Sequence, residues 1–405
     1  MRVRFRLAEI LEEFRDSGRG TVKRIATETR LERHQVSALL KNEVQYLSLN
    51  SLGAICDYLI NIHHMNPADL PGRLFQLEPE GFWEFISEKQ LLVMSFGVRQ
   101  EMHDTGVLWV PAADSYLQGT LLHELYGTET PPRLRPDEGD ANSSPPRKTA
   151  AEPGPRFDQY MVRSCSTQSS QPQEVRDAEF QQMKEEATRS YEKFHEIAGN
   201  KALICLGSVK SNGLCERVIS RAFSREPWVT EDGALHAGQR ACPFYYRYRD
   251  KDVNVPSCQG GRNLAKQIPG LDHGADVPGI YFERAPGQWD GIPSNDEREP
   301  ALIFYTYRPP LGVVEVVLGG FSTEGTFLLA QHFHKIVAEI WPPTDIQPTR
   351  ETAAFVVDFH LKPHSRAANT DATGDLGDVI RPLDRLEVIR LPETVLAHRV
   401  SHSDA

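Results

Sequence analysis

Between Arg33 and Lys41 the chain sets out Arg33, His34, Gln35, Ser37 and Lys41, a row of hydrogen-bond donors and acceptors on a stretch with helical spacing. Side chains of these types reach base edges and phosphates from within a DNA major groove, with arginine forking onto guanine and glutamine onto adenine. Just upstream, Thr21 and Lys23 stand where a backbone phosphate would be held. Two turns further along carry a different chemistry. Gly207, Ser208, Ser211 and Asn212 combine unhindered backbone with two hydroxyls and an amide, and Gly319, Gly320, Ser322, Gly325 and Thr326 repeat that repertoire. Such turns suit an anionic or nucleotide-like ligand, although glycines of this kind also serve simply to turn a strand tightly into a helix. Neither turn carries the Walker phosphate-loop or the GxGxxG signature, which disfavours a Walker NTPase and a standard dinucleotide site.

The other reactive side chains point to less. Glu216, one turn into its helix, is in reach of a ligand hydroxyl or of the helix dipole. Cys258, in PSCQGG, needs a histidine partner that the sequence does not place beside it. His332 and His334 are two residues apart on a helix and face different ways, so they form no metal pair. His360 alternates with Asp358 on a strand, which suggests a structural hydrogen bond. The run YYRYRDK (245–251) mixes aromatics with arginine and could stack bases, but in an acidic domain it reads as an interface or a strand. The six cysteines lack CxxC spacing, so reduced thiols are expected, with no metal site and no cofactor.

Helices must position the first set of residues. Thr21 to Asn42 reads as two short helices joined by a tight corner. Ile25 and Ala26 point inward from one, Val36, Leu39 and Leu40 from the other, and Leu31 plugs the corner. Before them, Phe5 to Asp16 carries Leu7, Ile10, Leu11 and Phe14 at helical spacing; Gly18 and Gly20 end that helix, and Thr21 is the expected N-cap of the next. After them, Ser48 or Asn50 opens a helix with Leu52, Ile55, Cys56, Leu59 and Ile60, and Asn66 to Leu70 closes the unit.

Residues 5–70, through IATETRLERHQVSALLKN and the closing NPADL, resemble the Cro/C1-type (XRE) helix-turn-helix family of phage repressors and bacterial regulators. The chain departs from the family at Val22, where glutamine is usual, and at Arg30, where the turn usually has glycine. The resemblance implies an all-α head over residues 1–75 whose third helix enters the major groove of double-stranded DNA, usually as a homodimer on a palindromic site.

Downstream, strand, small-residue turn and helix recur. LLVMSFG (91–97), ALICLG (202–207) and VVEVVL (313–318) each run into such a turn, at Gly97–Arg99, Gly207–Asn212 and Gly319–Thr326. VLWVPA, ALIFYTYRP, FVVDFHLKP and LEVIRL read as further strands, the last at an edge, and Asp177–Ala198 as a charged helix. An α/β open-sheet, Rossmann-like domain is the expectation, with ligands collecting at the carboxyl ends of the strands. It would span 76–126 and 175–395, interrupted at 127–174 by a flexible insertion rich in Pro and Ser; residues 365–384 read as a loop and 396–405 as a frayed tail.

Charge is unevenly shared. The chain carries a net −11, yet residues 1–75 hold eleven Lys and Arg against nine Asp and Glu. A mildly basic head on an acidic body is compatible with DNA binding, with dimerisation multiplying the contacts. No apolar run is long enough to span a bilayer and the N-terminus lacks the continuous apolar core of a signal peptide, so a cytoplasmic protein with no membrane partner is expected. The leading expectation is a sequence-specific DNA-binding transcriptional regulator whose α/β domain senses a small anionic or nucleotide-like ligand, or a partner. A nucleotide-processing enzyme with a helix-turn-helix targeting module is the alternative, disfavoured because no paired carboxylates or nucleophile–base pair can be identified. An assembly protein using the α/β domain as a platform is the third.

Overall fold

The computed structural model describes residues 2–16, 18, 20–41, 47–78, 81–100, 108–126, 156–164, 172–229, 242–248, 277–347, 349–362 and 381–401. The chain divides into two compact units, Met1–Glu80 and Gly81–Ala405. The first unit begins with strand β1 (Arg2–Phe5), followed by helices α1 (Leu7–Glu13), α2 (Thr21–Thr29), α3 (Arg33–Leu40), α4 (Leu49–His63) and α5 (Leu70–Leu74). Strand β2 (Phe75–Glu78) then returns antiparallel to β1 and ties the two ends of the unit together. Its core is the apolar set expected from the spacing: Leu7, Ile10, Leu11, Ile25, Val36, Leu39, Ile55 and Leu59 are buried, with Ala26, Leu31 and Leu40 packed at the margin. Phe14 lies past the end of α1 and is partly exposed, its ring stacked on His63 at 4.8 Å.

The second unit opens with α6 (Phe82–Ser87) and continues through β3 (Leu91–Gln100), β4 (Leu108–Trp109), α7 (Ala112–Tyr126), β5 (Arg156–Arg163), α8 (Gln173–Glu196), β6 (Lys201–Leu206) and α9 (Gly213–Ala222). Strands β7 (Phe244–Arg247), β8 (Gly279–Ala285) and β9 (Gln288–Pro293) form a small antiparallel sheet. The chain then returns to the main sheet with β10 (Arg298–Arg308) and β11 (Val313–Gly320), helix α10 (Thr323–Ile336), strands β12 (Asp345–Gln347), β13 (Arg350–Leu361) and β14 (Leu383–Arg390), and helix α11 (Glu393–Ser401).

The main sheet has nine strands and is mixed. β5, β3, β6 and β11 run parallel, whereas β10, β13, β12 and β14 are antiparallel to their neighbours. The reason lies in the connections. β10 and β11 are joined only by the turn Pro309–Gly312, with Gly312 at φ 66°, and so short a link permits only an antiparallel pair. The expected α/β open sheet is present, with its parallel strands confined to one half.

Alternation along the strands sorts the core into two layers. Leu92, Met94, Phe96, Ile204, Leu206 and Val316 face α6, α7 and α10. Val93, Leu203, Cys205 and Val317 face α8, α9 and the small sheet. Charges interrupt this pattern, Glu315 at the centre of the sheet among them. Glu315 is buried on β11, where His195 Nε2 lies 3.1 Å and Arg308 2.9 Å from its carboxylate. Burial pushes that carboxyl up, but the His195 hydrogen bond and the Arg308 charge prevail and hold it below the ordinary range.

Several boundaries differ from those the sequence suggests. β3 continues through Gly97, so Gly97–Arg99 is strand rather than turn. Residues 156–163, assigned above to a flexible insertion, are an edge strand parallel to β3; RFDQYMVR exposes much of one side, which hides it among the polar residues around it. Residues 127–155, 165–171, 249–276 (with Cys258) and 363–380 lie outside the described residues. The tail read as frayed begins with an anchored helix. Val395 and Leu396 of α11 are fully buried, and Arg399 pairs with buried Glu283 of β8.

Candidate functional site

The corner of the head is built from α2, Arg30–Glu32 and α3. At the end of α2, Thr29 Oγ1 donates to the Ile25 carbonyl at 2.6 Å and accepts from Leu31 N at 3.4 Å, so one hydroxyl closes both sides of the turn. Arg30 between them adopts φ 58°, ψ 21°, the left-handed conformation for which the family uses glycine. A non-glycine residue held there costs about 1–2 kcal/mol. Arg30→Gly, which relieves that strain at some cost in unfolded-chain entropy, is therefore expected to raise the stability of the head by about 0.5–1 kcal/mol in urea unfolding. An unchanged or lower midpoint would contradict a strained corner.

Helix α3 follows with Val36 and Leu39 buried, which turns its other side outward. Arg33, His34, Gln35 and Lys41 are exposed and Ser37 half-buried, so the polar row is displayed as expected. Two of its members already have local partners. Gln35 Oε1 accepts from the Glu32 backbone N–H at 3.3 Å, the return arm of a capping box, and His34 Nδ1 lies 3.0 Å from Glu32. Ala38 was not among the expected contacts, because an alanine carries no polar signal. At 100° per residue it falls 40° from His34, on the side of Gln35, and so faces outward, where a methyl group is of a type that can contact the thymine methyl.

Lys23 is exposed on α2, but Thr21 is not available. Gly20, at φ 105°, takes the N-cap position expected for Thr21, and Thr21 Oγ1 is buried, donating to the Asp16 carbonyl at 2.9 Å. This correction follows from a hub at Asp16. Its carboxylate accepts from Tyr58 Oη at 2.7 Å, lies 2.8 Å from His63 Nε2 and pairs with Arg24. Burial, with Arg24 and His64 nearby, pushes His63 down, which suits a neutral ring donating to Asp16. The hub fixes the start of α2 to α4, and so fixes where α3 is presented.

In the body, the parallel strands β3, β6 and β11 end side by side, and their glycines pack on one another. A Cβ on Gly97 would overlap the Ser211 carbonyl, one on Gly319 the Gly207 carbonyl, and one on Gly320 the backbone of Gly325 and Thr326. The two glycine turns are thus brought together, but much of their polar repertoire is internal. Asn212 is fully buried as the N-cap of α9: Oδ1 accepts from Leu214 N at 3.1 Å, and Nδ2 donates to the Leu206 and Ser95 carbonyls at 3.1 and 3.2 Å. Ser322 caps α10 by accepting from Gly325 N at 3.3 Å. Thr326 Oγ1 accepts from Gly320 N and donates to the Ser322 carbonyl, each at 3.1 Å.

The anion at the N-terminus of α10 is the protein's own. Buried Glu299 accepts from Ser322 N at 3.0 Å and Ser294 Oγ at 2.5 Å, and a Cβ on Gly325 would lie 2.9 Å from it. Burial raises the Glu299 carboxyl, with the two serines pulling against that rise. The expected ligand roles of Asn212, Ser322, Gly325 and Thr326 give way to internal ones. Gly207, Ser208 and Ser211 remain at the edge, with Ser211 Oγ donating to the Ser208 carbonyl at 3.0 Å.

Asp114, beside Ser115 and ahead of Leu117 and Leu121, suggests in sequence only the cap of a helix. It sits in the first turn of α7, is 4% exposed, and its Oδ2 has no hydrogen-bond partner among the described residues. Burial pushes its pKa up to about 7, the Arg99 charge pulling partly back.

Elsewhere the chemistry is structural. Tyr246 and Arg247 of the YYRYRDK run are fully buried on β7. His332 is partly buried and pushed down by burial and by Lys335, while His334 is exposed. Asp358, His360 and Glu387 bring ligand atoms within 4.8 Å of one another. Arg298 holds Asp358, however, and Arg385 lies 2.9 Å from His360 Nε2, so guanidinium groups occupy the role a cation would have. His360, read as making a structural hydrogen bond, has its Nε2 3.0 Å from Asp358 Oδ2. The thiols of Cys56, Cys205, Cys215 and Cys242 are unlinked.

A bundle of short helices with a tight corner and an outward-facing third helix defines a helix-turn-helix module. Residues 11–70 match the family model of the Cro/C1-type HTH DNA-binding domain, and the N-terminal unit belongs to that family. No curated protein and no solved structure matches the chain. A head of this family implies DNA as partner and a DNA-binding regulator as class. No helix among the described residues is long and apolar enough to cross a membrane.

Proposed function

We propose that the protein is a sequence-specific transcriptional regulator that binds a palindromic operator as a homodimer through α3. The observation that carries this reading is the outward display of Arg33, His34, Gln35, Ser37 and Lys41 on the third helix of a Cro/C1-type head. Arg33 and Gln35 read base edges, Ser37 and Lys41 flank them, and Lys23 holds a phosphate. The chain is organised as a head over 1–75 and a body over the rest, and the body senses a small ligand at the carboxyl edge of β3, β6 and β11. A ligand that favours one spacing or mobility of the paired heads shifts operator affinity in proportion to that preference.

Phosphate and base contacts separate experimentally. Lys23→Ala is expected to weaken binding to all duplexes alike and to reduce the slope of log K against log salt by about 1. A sequence-selective effect, or an unchanged slope, would remove Lys23 from the phosphate contacts. Dimerisation is tested by sedimentation of the full chain with and without a duplex.

A further inference from the structure

This inference rests on the sensing reading above and narrows it. We infer that the body's ligand is not held by its phosphate at the glycine turns but offers a hydroxyl or N–H donor to Asp114, beside a flat group stacked at Trp109. The simplest molecule with both features is a nucleoside.

Gly207 packs its backbone against Asp114 and Ser211. It is at φ 96°, and a Cβ there would lie 2.6 Å from Ser211 Oγ and 3.1 Å from Asp114 Oδ2. Those two oxygens therefore face the same stretch of backbone. Asp114 Oδ2 is buried and unpartnered, and a buried carboxylate oxygen without a donor is costly unless something else supplies one. A carboxylate oxygen accepts from hydroxyl or amino groups, and a ligand donor of that kind replaces the proton that burial otherwise favours there. The helix termini at the two glycine turns are already taken, that of α9 by Asn212 Oδ1 on Leu214 N and that of α10 by Glu299 on Ser322 N.

The flat component follows from the same edge. Arg99 extends from β3 with its guanidinium 5.4 Å from the Trp109 ring, and Trp109 is 45% exposed. Arg99 is also the charge that acts on Asp114, so the platform and the carboxylate share one guanidinium. An exposed indole beside a guanidinium offers a stacking surface to any planar ring. Base on Trp109 and sugar hydroxyls on Asp114 use both features in one ligand.

The test is thermal unfolding and titration calorimetry of the full chain with adenosine, guanosine, cytidine and uridine. Inorganic phosphate and the four free bases serve as probes lacking one feature or the other. At least one nucleoside is expected to raise Tm and to bind at least tenfold more tightly than its free base. Asp114→Asn, each variant compared with its own unliganded Tm, is expected to weaken that binding at least tenfold. Asp114→Ala is expected to do the same, excluding compensation by the amide. Stabilisation by phosphate with none by nucleosides would overturn the donor assignment while leaving sensing intact. Nucleoside binding indifferent to both substitutions would overturn it as well. If no probe raises Tm, the sensing reading falls with it.

Discussion

A protein carrying Arg33→Ala and Gln35→Ala is expected to lose sequence-specific retardation of duplex DNA while keeping a folded head. Each good bidentate base contact is worth about 1–3 kcal/mol of discrimination, so the pair accounts for about 2–6 kcal/mol. That corresponds to a loss of specific affinity of roughly 30-fold to more than 10,000-fold, set against a residual non-specific binding that phosphate contacts maintain. Gln35 needs a control, because its Oε1 also closes the capping box on Glu32 N. Gln35→Glu keeps an acceptor at that position and so keeps the cap, yet it cannot donate to a base. It should lose discrimination at its base pair with the helix intact. Unchanged specificity in the double variant, with the fold verified by circular dichroism, would remove α3 from base recognition.

Stability of the unliganded chain is expected to depend on pH through Asp114. Its carboxyl is raised by burial to about 7 in the folded state. A raised carboxylic acid folds best when protonated, so its contribution is fully favourable below the unfolded value near 4. It declines as pH rises from about 4 to 7 and is constant above that. The difference corresponds to about 4 kcal/mol, an upper figure because the buried site relaxes and Arg99 shares the charge. Asp114→Asn, which cannot ionise, is therefore expected to unfold at a higher urea concentration than the parent at pH 8 and at a similar one at pH 4. Measuring the difference between the two proteins cancels the other carboxylates. Parallel pH profiles would show that Asp114 is not held in an unfavourable ionised state.

The head was legible because its chemistry is local. Ile25, Val36 and Leu39 follow a helical period, and Thr29 closes a corner only two residues from the residue it serves. Thr21 misled for a related reason: a hydroxyl at a helix start reads as a cap, and nothing nearby announces that Asp16 claims it. In the body, strands and glycine turns could be placed, but not what faces them. Glu299 reaches the α10 terminus from a strand 23 residues earlier, and Asp114 meets Gly207 across the sheet from a different helix. Such long-range approaches leave no periodic trace. The same holds for β5, whose sequence resembles a polar linker until β3 pairs with it. The antiparallel half of the sheet went unread although RPPLG is a turn too short for a crossover, because the repeated strand, turn and helix pattern pointed to parallel strands.

The central claim, that the outward face of α3 reads duplex DNA, is tested most directly by selecting bound duplexes from a random library with the full chain. The expected result is an enriched palindromic motif with half-sites about 10 base pairs apart, lost when the selection is repeated with the Arg33→Ala, Gln35→Ala protein. No enrichment above the starting library, or the same motif recovered with the double variant, would contradict it.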